Sequence, residues 1–207
     1  MGEDQFVALA DRWNHNIHYD PVIVEALPDR CERVLEVGCG EGVLSRTMSE
    51  IAGRVVGLDR DAPSIESARR DAAADNIDYV VGDLLAHPFR PASFDAVVAN
   101  TVIHHIGTAV ALERMRDLVR PGGVVAVVGV ARSRSPSDIP YDLAGTVATR
   151  VHKRSKGWWS TSAPKVWPPP ESFTGTRRIA ARVLPGSRFR RHVLWRYSLV
   201  WTKAVHR

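Results

Sequence analysis

The sequence predicts an α/β fold: a doubly wound, mostly parallel seven-stranded sheet with an antiparallel C-terminal hairpin and a variable cap insertion. Three observations carry this reading. Between residues 33 and 131, short runs that are apolar throughout alternate with longer runs whose apolar residues recur at helical spacing. Strands buried on both faces read as continuous apolar runs, and strands separated by helices build a parallel sheet covered on both sides. A glycine cluster, Gly38-Cys39-Gly40-Glu41-Gly42, follows the first of these runs. The chain then closes with Phe189 to Trp201, rich in aromatic and β-branched residues, which reads as two antiparallel strands on the sheet edge.

The elements follow in order. Arg33 to Val37 is a β-rich run ending in glycines, and Val43, Leu44, Met48 and Ile51 then share a helical face from Gly42 to Ile51. Arg54 to Asp59 is the second strand. An Ala-rich helix is expected from Ala62 to Ala74, with Ile65, Ala68 and Ala72 on one face. Ile77 to Val81 and Phe94 to Ala99 are the third and fourth strands. Leu112, Met115 and Leu118 mark a helix from Ala109 to Val119, which Pro121-Gly122-Gly123 stops before a fifth strand from Val124 to Val130. Right-handed crossovers wind these units onto both faces of one sheet. After Ala131 the alternation breaks. Ser/Arg/Pro-rich linkers flank one helix-like piece, Tyr141 to His152, and a short helix is expected from Glu171 to Leu184, stopped by Pro185-Gly186.

Length and charge bound the function. A chain of 207 residues suits one domain, since single cores stop growing at roughly 250–300 residues. The formal net charge of +5 hides an asymmetry. Residues 1–131 hold 12 Lys+Arg against 20 Asp+Glu, and residues 132–207 hold 16 against 3, balances of −8 and +13. A basic half faces anionic ligands, nucleic acid or lipid surfaces, or is simply solvated. Cys31 and Cys39 form neither a disulfide framework nor a zinc spacing, no HExxH pattern occurs, and the longest apolar stretch is Val124 to Ala131, far short of the ~20 residues a membrane helix needs. The N-terminus lacks a signal-peptide pattern. The expectation is a cytoplasmic, reduced protein with no metal.

Glycines between a strand and a helix let the backbone turn tightly and approach a ligand with no Cβ in the way. The spacing here is GxGxG, and Val43 stands where a dinucleotide-binding loop would place its third glycine. Glu36 lies in the approach to the loop, where it repels phosphate and attracts a cation. A nucleoside-like ligand with a positive charge and no phosphate fits this pattern, and S-adenosylmethionine is one. Asp59 ends the second strand, placed to accept from a ribose diol, with Asp61 better placed to cap the following helix. Asp83 follows the third strand in Val81-Gly82-Asp83-Leu84, where a carboxylate either accepts from an adenine amino group or makes ordinary turn chemistry.

Taken together, Val34-Leu35-Glu36-Val37-Gly38-Cys39-Gly40-Glu41-Gly42, Val56-Gly57-Leu58-Asp59, Gly82-Asp83-Leu84, Phe94 to Asn100, and Leu118-Val119-Arg120-Pro121-Gly122-Gly123 resemble a class I S-adenosylmethionine-dependent methyltransferase of small-molecule type. The resemblance implies that Glu36, Gly38, Cys39 and Gly40 lie against the methionine end of the cofactor. It implies Asp59 and neighbouring Arg60 on the ribose side, Asp83 and Leu84 beside the adenine, and Asn100 at the transfer site. The N-terminal run from Trp13 to Tyr19 resembles an aromatic lid, with Tyr19 on the cofactor and His18 on the acceptor. One domain then divides into an N-terminal helical lid (1–30), a cofactor-binding core (31–131), an acceptor-side insertion (132–184) and edge strands (185–207).

The chemistry left to the protein is alignment, exclusion of water and, where needed, removal of a proton. His104 and His105, after the fourth strand, are the candidate bases. Trp158 and Trp159 are the candidate acceptor platform, and Arg150, Lys153, Arg154 and Lys156 the candidate anion holders. The expected acceptor is a small molecule, anionic or aromatic, methylated on an O or N nucleophile, with specialised metabolism as the setting considered. The fourth-strand motif reads Ala99-Asn100-Thr101-Val102, without the proline-aromatic signature used to hold a flipped base, which disfavours nucleic acid. An RNA methyltransferase and a non-catalytic binding protein on the same fold are the alternatives.

Overall fold

The computed structural model describes residues 13–72, 74–156, 159 and 168–205. A 3-10 turn (Ile17–Tyr19) and helix α1 (Asp20–Val24) precede β1 (Arg33–Val37), α2 (Val43–Ser49), β2 (Arg54–Asp59), α3 (Ala62–Arg70) and β3 (Ile77–Val81). Then come β4 (Phe94–Asn100), α4 (Ile103–Ile106), α5 (Thr108–Leu118), β5 (Val119–Val130), α6 (Ile139–Lys156), α7 (Phe173–Val183), β6 (Arg188–Arg191) and β7 (Arg196–Thr202). The seven strands form one sheet in the order β3-β2-β1-β4-β5-β7-β6. β1 to β5 run parallel, and β7 alone is antiparallel to both of its neighbours. The predicted seven-stranded architecture with its C-terminal hairpin is the one observed.

Strand alternation divides the core into two layers. Leu35, Val37, Val97, Ala99, Val125 and Val127 pack beneath α5 and α7. Val34, Val55, Ala96, Val98, Ala126 and Val128 pack on the other side with Ile23, Leu44 and Met48 from α1 and α2. Both layers are apolar, because the strands are buried on both faces. Glu36 shares the second face, so its carboxylate is buried by strand geometry, not by chance contact.

Several boundaries differ from expectation. α3 ends at Arg70, short of Ala74, and α5 ends at Leu118. β5 begins at Val119, not Val124: Val119 pairs with Phe94, the register slips, and the ladder resumes at Ala96 with Val124. Pro121-Gly122-Gly123 is absorbed as an irregularity at the strand start, where left-handed Gly122 donates its N–H to the Lys203 carbonyl. α6 extends beyond the predicted piece at both ends. Its start is fixed by Asp138, whose carboxylate accepts from the Arg134 and Ser135 N–H groups and pairs with Arg191. That guanidinium also lies over Tyr141 and Phe173, at 4.2 and 4.0 Å, so Arg191 ties the insertion to β6. Among the described residues no helix is long and apolar enough to cross a membrane.

Candidate functional site

A cavity of about 760 Å³ opens at the carboxyl ends of β1, β2, β4 and β5. That is where open α/β sheets bind ligands, and the volume is typical of small-molecule sites. The start of β7 joins the same end, because antiparallel pairing sets Arg196 opposite Val130.

The first wall is the glycine loop and the strand ends beside it. Gly38 is left-handed (φ 71°), and a Cβ there would sit 2.4 Å from Val102. Gly40 is also left-handed (φ 51°), but a Cβ there would meet nothing within 4 Å, so its bare face looks onto open space. The Gly40 N–H donates to Asp59 Oδ2 at 2.8 Å, and the Asp61 N–H to Asp59 Oδ1 at 2.9 Å. Asp59 therefore clamps the loop, while Asp61 caps α3 through the Ser64 N–H, as the sequence suggested. Glu36 is 3% exposed and accepts from Ser45. Burial pushes its carboxyl up to about 8 against the Ser45 bond, and the Asp20 and Asp59 charges add to the rise. Cys39 lines the cavity too, and burial holds its thiol well above the usual range.

Asp20 was not anticipated. It opens α1, is 7% exposed, and lines the cavity close to Glu36. Burial pushes it up to about 7, opposed by a hydrogen bond from the Asn100 amide at 2.6 Å. The same amide donates to the Asn16 carbonyl, and Thr101 Oγ1 donates to Asn100 Oδ1 at 2.8 Å. Asn100 thus joins the end of β4 to the N-terminal segment. Its side chain is fully engaged.

The second wall is aromatic and basic. His104 and His105, on the single turn α4, have ring centroids 4.1 Å apart. Burial, His105 and Arg196 lower His104 to about 4, leaving a neutral imidazole whose buried Nδ1 has no partner. His105 is lowered by burial, with Asp59 opposing. His15 is lowered to about 4, by burial first and Arg196 second, and its Nε2 lies 3.2 Å from Thr149 Oγ1 of α6. Trp159, Trp195 and Arg196 complete this side. Trp195 and Leu194 are both left-handed (φ 56° and 58°), a conformation that costs a non-glycine residue roughly 1–2 kcal/mol. Tight hairpin turns of this hand normally take Asn-Gly. Leu194 is held there by complete burial in the second core layer, and Tyr19 donates to the Val193 carbonyl at 2.8 Å.

Of the residues singled out in sequence, the structure brings together Glu36, Gly38, Cys39, Gly40, Asp59, Arg60, Leu84, Asn100, His104, His105 and Trp159 around one cavity. Three groups of singled-out residues lie off its lining. Tyr19 and His18 do not line it: the Tyr19 ring is buried beneath the hairpin, and His18 packs against Trp13, Tyr19 and His152. Asp83 stands just behind Gly82 and Leu84, its carboxylate accepting from the Leu85 and Ala86 N–H groups and pairing with Arg60 at 3.4 Å. Arg150, Lys153 and Arg154 are exposed on α6 and are not among the lining residues. Trp158 and Trp167 lie outside the described residues, as does the side chain of Lys156. Asp20, His15, Trp195 and Arg196 were missed. A hairpin turn with neither Gly nor Asn was the one available signal for the last two.

A family model described as a methyltransferase domain matches residues 35–127. An uncharacterized methyltransferase of Mycobacterium tuberculosis (strain ATCC 25618 / H37Rv) is 36% identical over 194 residues, covering 93% of this chain and 98% of its own. A ubiquinone biosynthesis O-methyltransferase of Xanthomonas euvesicatoria is 34% identical over 137 residues, covering 58% of this chain and 56% of its own. Among solved structures, a phosphoethanolamine N-methyltransferase of Haemonchus contortus, in complex with phosphomonomethylethanolamine and S-adenosylhomocysteine, has the same fold (TM-score 0.63, 16% identity, 93% of this chain, 53% of that one). The glycine loop, the acidic strand ends and this relationship over nearly the whole chain define a class I methyltransferase fold. The chain belongs to the methyltransferase family.

Proposed function

We propose that the protein transfers a methyl group from S-adenosylmethionine to an O or N nucleophile of a small molecule, working as a single domain. In this reading residues 31–131 hold the cofactor, while the N-terminal segment and residues 132–184 shape the acceptor side. The observation that carries it is the set of carboxylates, Glu36, Asp20 and Asp59, lining one cavity beside the bare face of Gly40. Buried carboxylates held protonated near neutral pH are a reservoir of negative charge that a cationic ligand would draw out. A phosphate-bearing nucleotide meets the opposite electrostatics. The residues present therefore fit the cofactor.

When bound, the cofactor supplies a methyl carbon activated by its sulfonium centre. Glu36 and Asp20 face the cationic end. Asp59 accepts two backbone bonds and retains lone pairs for a ribose diol. Gly82 and Leu84 offer an apolar surface to the adenine, with Asp83 fixing that turn from behind. His104, neutral at pH 7 and lining the cavity, takes the proton of the acceptor nucleophile. Trp159 and Trp195 exclude water and offer planar faces. The O-methyltransferase relative named above supports a small-molecule acceptor.

The test is calorimetric titration with S-adenosylmethionine and S-adenosylhomocysteine, followed by a screen of a metabolite extract for a cofactor-dependent gain of CH2. Micromolar binding and one or more shifted metabolites are expected. Binding with no transfer to any metabolite would favour a non-catalytic role, and absence of binding would remove the reading.

A further inference from the structure

Arg196 carries a charge that no described residue answers. It is 7% exposed, yet it lines the cavity. Among the described residues its guanidinium makes two hydrogen bonds: Nη1 donates to the Leu194 carbonyl at 3.0 Å and Nη2 to Asn16 Oδ1 at 2.7 Å. Its Nε is buried without a partner. Among the described residues no carboxylate pairs with it. The titratable groups that feel its charge are Tyr19, His15 and His104, all neutral at pH 7. Taking an unpaired guanidinium out of water is strongly unfavourable, and the usual compensation is a hydrogen-bonded anion. Two neutral acceptors can be satisfied by a neutral donor, so the turn contacts alone do not call for a cation. The residue is also set in place by a strained turn: left-handed Leu194 and Trp195 immediately precede it, and strain of this kind concentrates at ligand clamps. Trp195 presents its ring to the same cavity, beside His15 at 6.2 Å.

We propose that Arg196 is the anion-binding subsite of this cavity, taking a carboxylate or phosphate group through its free N–H fork, with Trp195 as the adjoining planar wall. The anion has two possible sources: the carboxylate of the cofactor's amino-acid end, or an acidic group on the acceptor. The assignment of these sources rests on the methyltransferase reading. The subsite itself does not, since any carboxylate that enters should find it.

Three probes separate the outcomes. S-adenosylhomocysteine carries the amino-acid carboxylate, 5′-methylthioadenosine is the corresponding thioether nucleoside without it, and benzoate is a planar anion. They are titrated into the wild type, Arg196→Met and Asn16→Asp. The last substitution is nearly isosteric and gives Arg196 an internal carboxylate, so it occupies the fork while preserving the turn, and its melting temperature should rise. If the cofactor supplies the anion, both variants bind S-adenosylhomocysteine at least tenfold more weakly while 5′-methylthioadenosine is unchanged. If the acceptor supplies it, S-adenosylhomocysteine affinity holds and benzoate binding to the S-adenosylhomocysteine-saturated protein is lost in both variants. Both results support the subsite. A folded Asn16→Asp protein that binds all three probes as the wild type does overturns it. A wild type that binds benzoate through Arg196 but no nucleoside would instead sink the cofactor reading and leave the subsite standing.

Discussion

The two walls of the cavity are built on different principles. The first comes from β1, β2 and β4 with their following loops, joined by Asp20 of α1: glycines that only a tight turn tolerates, and the carboxylates Glu36 and Asp59 at or beside a strand end. The glycine spacing and the acids at the strand ends are short-range patterns, although Asp59 clamps Gly40 from 19 residues away. The second wall is assembled from His15 before α1, the histidines of α4, Trp159 and the β6–β7 turn. Nothing local in the chain links these segments. The first wall stores negative charge, with Glu36 and Asp20 pushed toward neutrality by burial; the second stores positive charge, in Arg196 beside histidines held neutral. Carboxylates of the acidic half thus face Arg196 of the basic half across the cavity, although most of the C-terminal basic residues, such as Arg150 and Arg154, remain on the surface.

If the walls divide the work in this way, substitutions should separate transfer from cofactor binding. His104→Asn should give the largest change, a fall in turnover of about a hundredfold, the scale of general-base loss, with S-adenosylhomocysteine affinity unchanged. Equal losses in turnover and affinity would assign His104 to the first wall. Asp59→Ala should do the reverse. It releases both the Gly40 and Asp61 N–H groups and should weaken S-adenosylmethionine binding at least tenfold by calorimetry, and unchanged affinity would sink the assignment.

Proton linkage separates the walls again. Between the ordinary carboxylate range and about 7 to 8, the folded protein keeps protons on Asp20 and Glu36 that the unfolded chain has released. Their contribution to stability therefore falls as pH rises through that window and is level above it. His15 and His104 act in the opposite direction. Both are lowered to about 4, so their contribution is intact above 6.5 and lost as pH falls from there toward 4. Cation binding should pull the carboxylates into their ionised form. S-adenosylmethionine should consequently bind more tightly as pH rises across that carboxylate window, releasing protons that calorimetry in two buffers detects, and Glu36→Gln should reduce both effects. Tyr19→Phe should have the smallest effect: it removes one hydrogen bond to Val193, about 1 kcal/mol of stability by thermal denaturation, with cofactor affinity unchanged. A tenfold loss of affinity in that variant would restore Tyr19 to the cofactor side.

The legibility of the site follows the same division. Gly38, Gly40 and Asp59 could be read because the GxGxG spacing, the strand before it and an acid at the next strand end are short-range patterns with direct physical reasons. Asp61 was separable from Asp59 because a helix cap has its own signature. The placement of the lid residues was not legible, because an aromatic run beside a cleft and one buried beneath a hairpin look alike in sequence. Tyr19 turned inward because Leu194, Val193 and His192 supply a buried surface and a carbonyl for it. Arg196 escaped notice among 28 Lys+Arg, most of them solvated.

The sequence by itself determined the strand and helix alternation, the glycine loop and the acidic strand ends, since each rests on backbone geometry over a few residues. Only the tertiary structure decided which distant residues face them. Antiparallel insertion of β7 beside β5 brings residue 196 to the carboxyl end of the parallel strands, opposite Val130. The N-terminal segment reaches the same place through the Asn100 bonds to Asp20 and Asn16. These juxtapositions depend on pairing across scores of residues, and no local spacing encodes them.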